Sequence, residues 1–181
     1  MSARPILFRG DMVRAILAGA KTQTRRQITP SRSRMSPVNN LWEDLDWSDA
    51  RSDGPRLLVG FERVYSRIEV GDLLWVRETF GRPDAEWHPT IEYRADYGPD
   101  YDRLWTPSIF MRPTESRLTL RVTEVRAQRL TEISPADVLA EGFAHAGLGT
   151  TPTDYAKGFR TINKLPPEAD PWVWAYTFER V

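Results

Sequence analysis

The chain contains no cysteine, which excludes disulfides, thiolate metal sites and cysteine nucleophiles. It has only two histidines, His88 and His145, too few for a multi-histidine metal centre, so no metal or other cofactor is expected. Lysine is scarce as well: Lys21, Lys157 and Lys164 stand among 25 basic residues, and the rest are arginine. No apolar run approaches the ~20 residues that cross a bilayer. The opening Met1-Ser2-Ala3-Arg4-Pro5 leads into only Ile6-Leu7-Phe8, too short for the core of a signal peptide. There is no GxGxxG, no Walker loop, no βαβ rhythm and no internal repeat, which argues against a doubly wound nucleotide-binding sheet. These absences predict a soluble, cytoplasmic protein with no membrane partner.

What is present fits one folded domain. The 181 residues are 40% hydrophobic and 28% charged, enough for a sizeable core and incompatible with wholesale disorder. Acidic and basic residues balance at 25 each, but they are not mixed evenly. Residues 1–34 carry eight cations against the single anion Asp11, while residues 43–53 carry Glu43, Asp44, Asp46, Asp49 and Asp53 against Arg51. A neutral chain of this kind can still present a basic face. The arginine excess suits bidentate recognition of phosphate or base edges, and it also fits the codon bias of a GC-rich genome. Codon bias does not account for the clustering near the N-terminus.

Periodicity gives the element order. Pro5–Arg9 reads as a strand, and Gly10-Asp11 opens a helix with Asp11 as N-cap and Met12, Ile16 and Leu17 on one face. Gly19 is placed to end that helix. Residues 30–65 read as an insertion without clean periodicity, pinned to the body by Trp42 and Trp47. Strands are predicted at Leu73–Glu78, Thr90–Ala95 and Arg117–Thr123, with a phase break at Glu124-Val125 that implies a bulge or a strand end. Ser134-Pro135-Ala136-Asp137 is a helix start that Gly142 stops, and a further helix is predicted over Thr153–Leu165. The last strand, Trp172–Val181, places Trp172, Trp174, Tyr176 and Phe178 on one face. This order favours an α+β fold, a small mixed β-barrel with peripheral helices.

The most informative stretch is Gly19-Ala20-Lys21-Thr22-Gln23-Thr24-Arg25-Arg26, where the first helix hands over to a strand. Six consecutive polar residues offer two hydroxyls, an amine, an amide and two guanidiniums. Such a set suits an anionic or polar ligand rather than a core.

With Gly19, Lys21 and Arg26 in the spacing G-x-K-x-x-x-x-R, the sequence resembles the ASCH domain family of PUA-like β-barrels. The similarity is greatest to ASCH proteins of phages and prophages. It extends through Gly71–Thr79, Tyr93–Asp96, Trp105–Ile109, Ser116–Leu120 and Pro171–Trp174, that is, over most of the chain except about 30–65. The resemblance implies the PUA-like barrel and binding of RNA, of single-stranded nucleic acid or of a modified nucleoside. One branch of the family resembles amidohydrolases of N(4)-acetylcytidine. Carried over by motif, Lys21 becomes the base, Thr24 the nucleophile and Glu141 the acid, with Arg77 or backbone amides at the oxyanion. Another member resembles a single-strand ribonuclease. The remaining candidate ligand contacts are Arg25 and Arg26 for phosphate, Trp75 and Tyr93 for stacking, and Glu78 and Ser108 for polar contacts. Three functions stay open at this point: a binding module, an amidohydrolase and a ribonuclease.

Overall fold

The computed structural model describes residues 3–28, 51–52, 56–59, 62–84, 90–98, 100–101 and 103–181. Trp42, Trp47 and His88 lie outside the described residues.

The first helix shows how sequence sets geometry. Strand β1 (Ala3–Leu7) runs into helix α1 (Gly10–Leu17). Arg9 is its N-cap and makes no side-chain cap bond. Asp11, expected as the cap, instead lies inside the first turn, where its carboxylate accepts from the Met12 N–H and from Arg9. The helix buries Val13, Ala15 and Ile16 and leaves Met12 and Leu17 half-buried. It ends in a Schellman motif: the Ala20 N–H donates to Ala15 O (2.8 Å) and the Gly19 N–H to Ile16 O (3.0 Å). Gly19 takes the left-handed φ of 73° that this closure needs. The chain therefore leaves the helix in a fixed direction, into strand β2 (Gln23–Gln27).

Within the expected insertion, β3 (Arg51–Ser52), β4 (Arg56–Val59) and β5 (Glu62–Tyr65) form a three-stranded antiparallel meander lying near the main sheet. Regular structure thus occurs where the sequence showed no period. The main sheet continues with β6 (Leu73–Arg77), followed by the short pair β7 (Phe80–Gly81) and β8 (Glu92–Tyr93). The strand expected at Thr90–Ala95 is only those two residues, after which Arg94–Asp96 turns as a single 3-10 turn. Strand β9 (Thr119–Arg129) carries the bulge. Thr177 pairs with Glu124 and Phe178 with Val122, so Thr123 has no partner and the inward phase resumes at Val125. Helix α2 (Pro135–Ala140) has Ser134 as N-cap in a capping box with Asp137, as the sequence requires. Helix α3 (Pro152–Asn163) starts at a second box, Thr151 with Asp154, and stops at left-handed Lys164 before the prolines are reached. Strand β10 (Trp172–Arg180) completes the chain.

The five-stranded sheet has the order β1-β6-β9-β10-β2, parallel at β1–β6 and antiparallel elsewhere. It does not close into the expected barrel, because its edges β1 and β2 form no ladder with each other. One side chain bridges them instead: Arg26 donates to Leu7 O at 2.7 Å. The architecture is mixed α+β, mostly sheet with few helices.

Strand β10 is buried on both faces over Val173–Tyr176. Trp174, Tyr176 and Phe178 join Ile6, Leu74, Val76, Leu120 and Val122 in the core that α1 covers. Val173 on the opposite face of β10 packs with Val138, Phe143, Tyr155 and Phe159 from the α2–α3 layer. A central strand covered twice needs no polar face, so the period-2 pattern of β10 separates two cores rather than core from solvent. Among the described residues no helix is long and apolar enough to cross a membrane.

Candidate functional site

The open seam between the β1 and β2 edges is a pocket of about 400 Å³. Leu7 and Phe8 form one side and Thr24, Arg25, Arg26 and Gln27 of β2 the other. Glu141 from the end of α2 lies at the floor with Lys21, and Phe143, Tyr155 and Phe159 line it from the loop after α2 and from α3. Pairing with β10 decides which β2 side chains go where. Directly opposed residues share a face, so Thr24 and Arg26 follow Tyr176 and Trp174, while Gln23 and Arg25 follow Thr177 and Ala175 toward α2.

The polar stretch is therefore not an exposed patch. Lys21, Gln23, Thr24 and Arg25 are all buried, Lys21 at 3% exposure. The Lys21 ammonium donates all three of its protons: to Gln23 O (2.7 Å), Glu141 O (2.8 Å) and Glu141 Oε2 (2.8 Å). Backbone contacts hold the pair in register, since Lys21 and Glu141 form a β-bridge and the Thr22 N–H donates to Ala140 O. Gly142 makes that approach possible. It has φ 70°, and an added Cβ there would stand 2.8 Å from Lys21 Cβ and 2.9 Å from Ala15 Cβ.

Arg25 completes the network. Its Nη1 donates to Glu141 Oε1 (3.0 Å) and Gln23 Oε1 (3.2 Å). Its Nη2 lies 3.1 Å from Asp137 Oδ2, and its buried Nε has no hydrogen-bond partner among the described residues. Asp137, a helix-capping residue, also accepts from Arg126 (2.7 Å). Burial works to raise the Asp137 carboxyl, but Arg25, the Ser134 backbone and Arg126 outweigh it and hold it below its ordinary value. For Lys21 burial dominates and pushes the amine below its ordinary range, against the pull of Glu141. Burial pushes the Tyr155 hydroxyl up, and the Glu141 carboxylate adds to the effect. The rings also carry charge: Lys21 Nζ lies 5.5 Å and the Arg26 guanidinium 5.3 Å from the Phe8 centroid, and Arg25 lies 5.9 Å from Tyr155.

Lys21, Thr24, Arg25, Arg26, Glu141 and Ser108 thus meet in one pocket. Trp75, Arg77, Glu78 and Tyr93 do not line it. Trp75 is buried with Phe80 and Met111, and the Arg77 guanidinium lies 4.6 Å from its centroid. Glu78 takes a two-pronged bond from Arg117 (2.8 and 3.0 Å), which also bonds Asp96 (2.6 Å) and covers the Tyr93 ring at 4.1 Å. The Tyr93 hydroxyl donates to Glu115 O. Sequence reasoning missed Phe8, Phe143, Tyr155 and Phe159. Tyr155 and Phe159 were legible as an i, i+4 pair on a helix face, but nothing local aims that face at Lys21. Among the described residues no group of acidic and histidine side chains is arranged to hold a metal ion. His145 is exposed and outside the pocket.

No family model and no curated protein matches the chain. Among solved structures it aligns with protein EF3133 from Enterococcus faecalis V583, described under the family model DUF984. The alignment covers 100% of this chain and 76% of that one, at 11% identity and a TM-score of 0.45. The chain is a small mixed α+β protein with a DUF984 structural neighbour.

Proposed function

We propose that the chain is an ASCH-type, PUA-like protein that binds a nucleoside, free or within a single-stranded nucleic acid, in the pocket around Lys21, Thr24, Arg26 and Glu141. The observation that carries this reading is the composition of the pocket: a buried ionic floor, aromatic walls, and uncharged hydrogen-bonding groups of Thr24, Gln27, Thr79 and Ser108 at about 400 Å³. Such a site offers a ring faces to lie against and polar edges to bond. The Thr24 hydroxyl, in a residue only 3% exposed, has no side-chain partner among the described residues and is free for a ligand.

Amide hydrolysis is the second reading, favoured by Thr24 beside an amine whose pKa burial lowers. The geometry weighs against it as a resting arrangement. All three Lys21 protons have acceptors, so the amine holds no lone pair for Thr24, and both Glu141 oxygens are engaged by Lys21 and Arg25. Binding asks for no such rearrangement.

Titration calorimetry with the four common nucleosides and N(4)-acetylcytidine, followed by chromatography of the mixture, separates the readings. Saturable binding of at least one nucleoside without conversion, weakened about tenfold or more by Thr24→Val and unchanged by Tyr93→Phe, is the expected result. Release of cytidine from N(4)-acetylcytidine, lost in Lys21→Ala, would replace binding by hydrolysis. Absence of binding by all five would reject the pocket as a nucleoside site.

A further inference from the structure

The charges at the pocket do not cancel. Four cations line it, Arg9, Lys21, Arg25 and Arg26, together with one anion, Glu141. Two further carboxylates act from just outside. Asp11 pairs with Arg9 at 2.8 Å, and Asp137 faces Arg25 at 3.1 Å. Lys21 is paired with Glu141 at 2.8 Å. Each cation but one has its carboxylate. Arg26 makes no ion pair with a carboxylate among the described residues; it donates Nη2 to Leu7 O and lies against the Phe8 ring, and Glu141 attracts it only from beyond ion-pair distance. Burial presses its pKa down against that pull, yet a guanidinium stays charged and this residue reaches solvent. Its remaining N–H groups stand at the seam between β1 and β2 with nothing among the described residues to accept them.

We infer that the ligand carries one anionic group, of the phosphate type, seated on Arg26, so that the pocket takes a nucleoside monophosphate in preference to the bare nucleoside. The inference rests on the nucleoside reading above and adds the charge of the ligand. The fork of Arg26 is pre-set for a phosphate, because the Leu7 carbonyl and the Phe8 face fix its plane before the ligand arrives. Arg25, adjacent in sequence and equally basic, does not serve. Its side chain is 0% exposed and its charge is met by Asp137 and Glu141. Arg9 is exposed but paired, so Arg26, the one pocket cation without an ion pair among the described residues, decides where the ligand's anionic group sits.

The test compares N(4)-acetylcytidine and cytidine with their 5′-monophosphates by calorimetry at low salt, with inorganic phosphate as a further probe. The monophosphate is expected to bind about tenfold or more tightly than its nucleoside, from one added charge-assisted contact. In Arg26→Gln the ratio falls to about one, while Arg121→Gln, at an exposed arginine outside the pocket, keeps it. Raising the salt in the unaltered protein weakens the monophosphate and spares the nucleoside, a readout that needs no variant to fold. Equal affinity for nucleoside and monophosphate, or a preference that survives Arg26→Gln, overturns this inference and leaves the nucleoside reading standing. Binding of inorganic phosphate alone at the same affinity also overturns it, since the base then contributes nothing. Failure of every probe to bind overturns both.

Discussion

Glu141 and Glu78 each anchor a buried charge cluster, and the first of these lines the pocket. At the pocket, Lys21 and Arg25 share Glu141 and Asp137, with the Lys21 side chain 2% and the Arg25 side chain 0% exposed. At the second cluster, Glu78 is as deeply buried, but its partner Arg117 keeps 22% of its side chain in solvent and a second carboxylate, Asp96, in reach. Both clusters lie at the end of a sheet strand, and both have shifted pKa values. The first lines a cavity between two unpaired edges, whereas the second is filled by Tyr93 and Arg117. Burial of charge therefore marks where the fold is tightly specified, and a candidate binding site needs room beside it as well.

The sharpest way to break the comparison is to remove one carboxylate from each cluster. Glu141→Ala leaves the buried Lys21 ammonium without a carboxylate and Arg25 with Asp137 alone, and should destabilise by about 3–5 kcal/mol. Glu78→Ala leaves Arg117 with Asp96 and with solvent, and about 1–3 kcal/mol is expected. Denaturant midpoints measure both, and equal losses would show that the two clusters are energetically alike.

Glycines give a smaller contrast. Gly142→Ala forces a side chain into left-handed backbone and against the rigid Cβ atoms of Lys21 and Ala15, for about 2–4 kcal/mol. Gly81→Ala meets the Arg103 guanidinium, which must give up its bonds to Glu92 and to the Arg82 carbonyl to make room, so a loss of about 1–2 kcal/mol is expected. Thermal unfolding of the two variants under one set of conditions checks the order.

The smallest effects are in pH dependence, and their signs are opposite. Burial holds the Glu78 carboxyl above its ordinary 4.5, against Arg117. The folded state then binds that proton more tightly than the unfolded chain, so this contribution to stability falls as pH rises above 4.5. Asp137 is held below its ordinary 3.8, so its contribution is complete above that pH and is lost as pH falls through the lower folded value. Relative to the unaltered protein, Glu78→Gln should remove a downward slope and Asp137→Asn an upward one. Slopes of the same sign in stability curves from pH 3 to 7 would reject the assignment.

The parts of the molecule that were legible in the sequence are those where neighbours along the chain decide the outcome. The Ser134–Asp137 capping box, the Gly19 closure of α1, the bulge in β9 and the alternation in β10 each depend on a few adjacent residues, and each occurs where expected. The site was half legible. Lys21, Thr24 and Glu141 do converge, with Ser108 at the wall, but the polar stretch was read as unfit for a core and four of its residues, Lys21, Gln23, Thr24 and Arg25, are buried. Asp137, read as a cap, also holds Arg25: its Oδ2 accepts from the Ser134 N–H and lies 3.1 Å from Arg25 Nη2, while its Oδ1 takes Arg126. Asp11 failed as a cap because the helix begins earlier, with Arg9 at the N-cap and Asp11 inside the first turn.

By itself the sequence determined most of the element order outside residues 30–65, several caps and turns, and the stock of chemistry between residues 19 and 26, because turns, caps and alternation are short-range properties. Whether the sheet closes is a long-range matter. The β1 and β2 edges are joined by one arginine rather than a ladder, and the seam they leave brings α2, α3 and the first helix's exit around one hollow. That placement gave Arg25 its acids, left Arg26 without an ion pair among the described residues and kept Glu78 out of the site, since which charge meets which is set by packing across more than a hundred residues of chain.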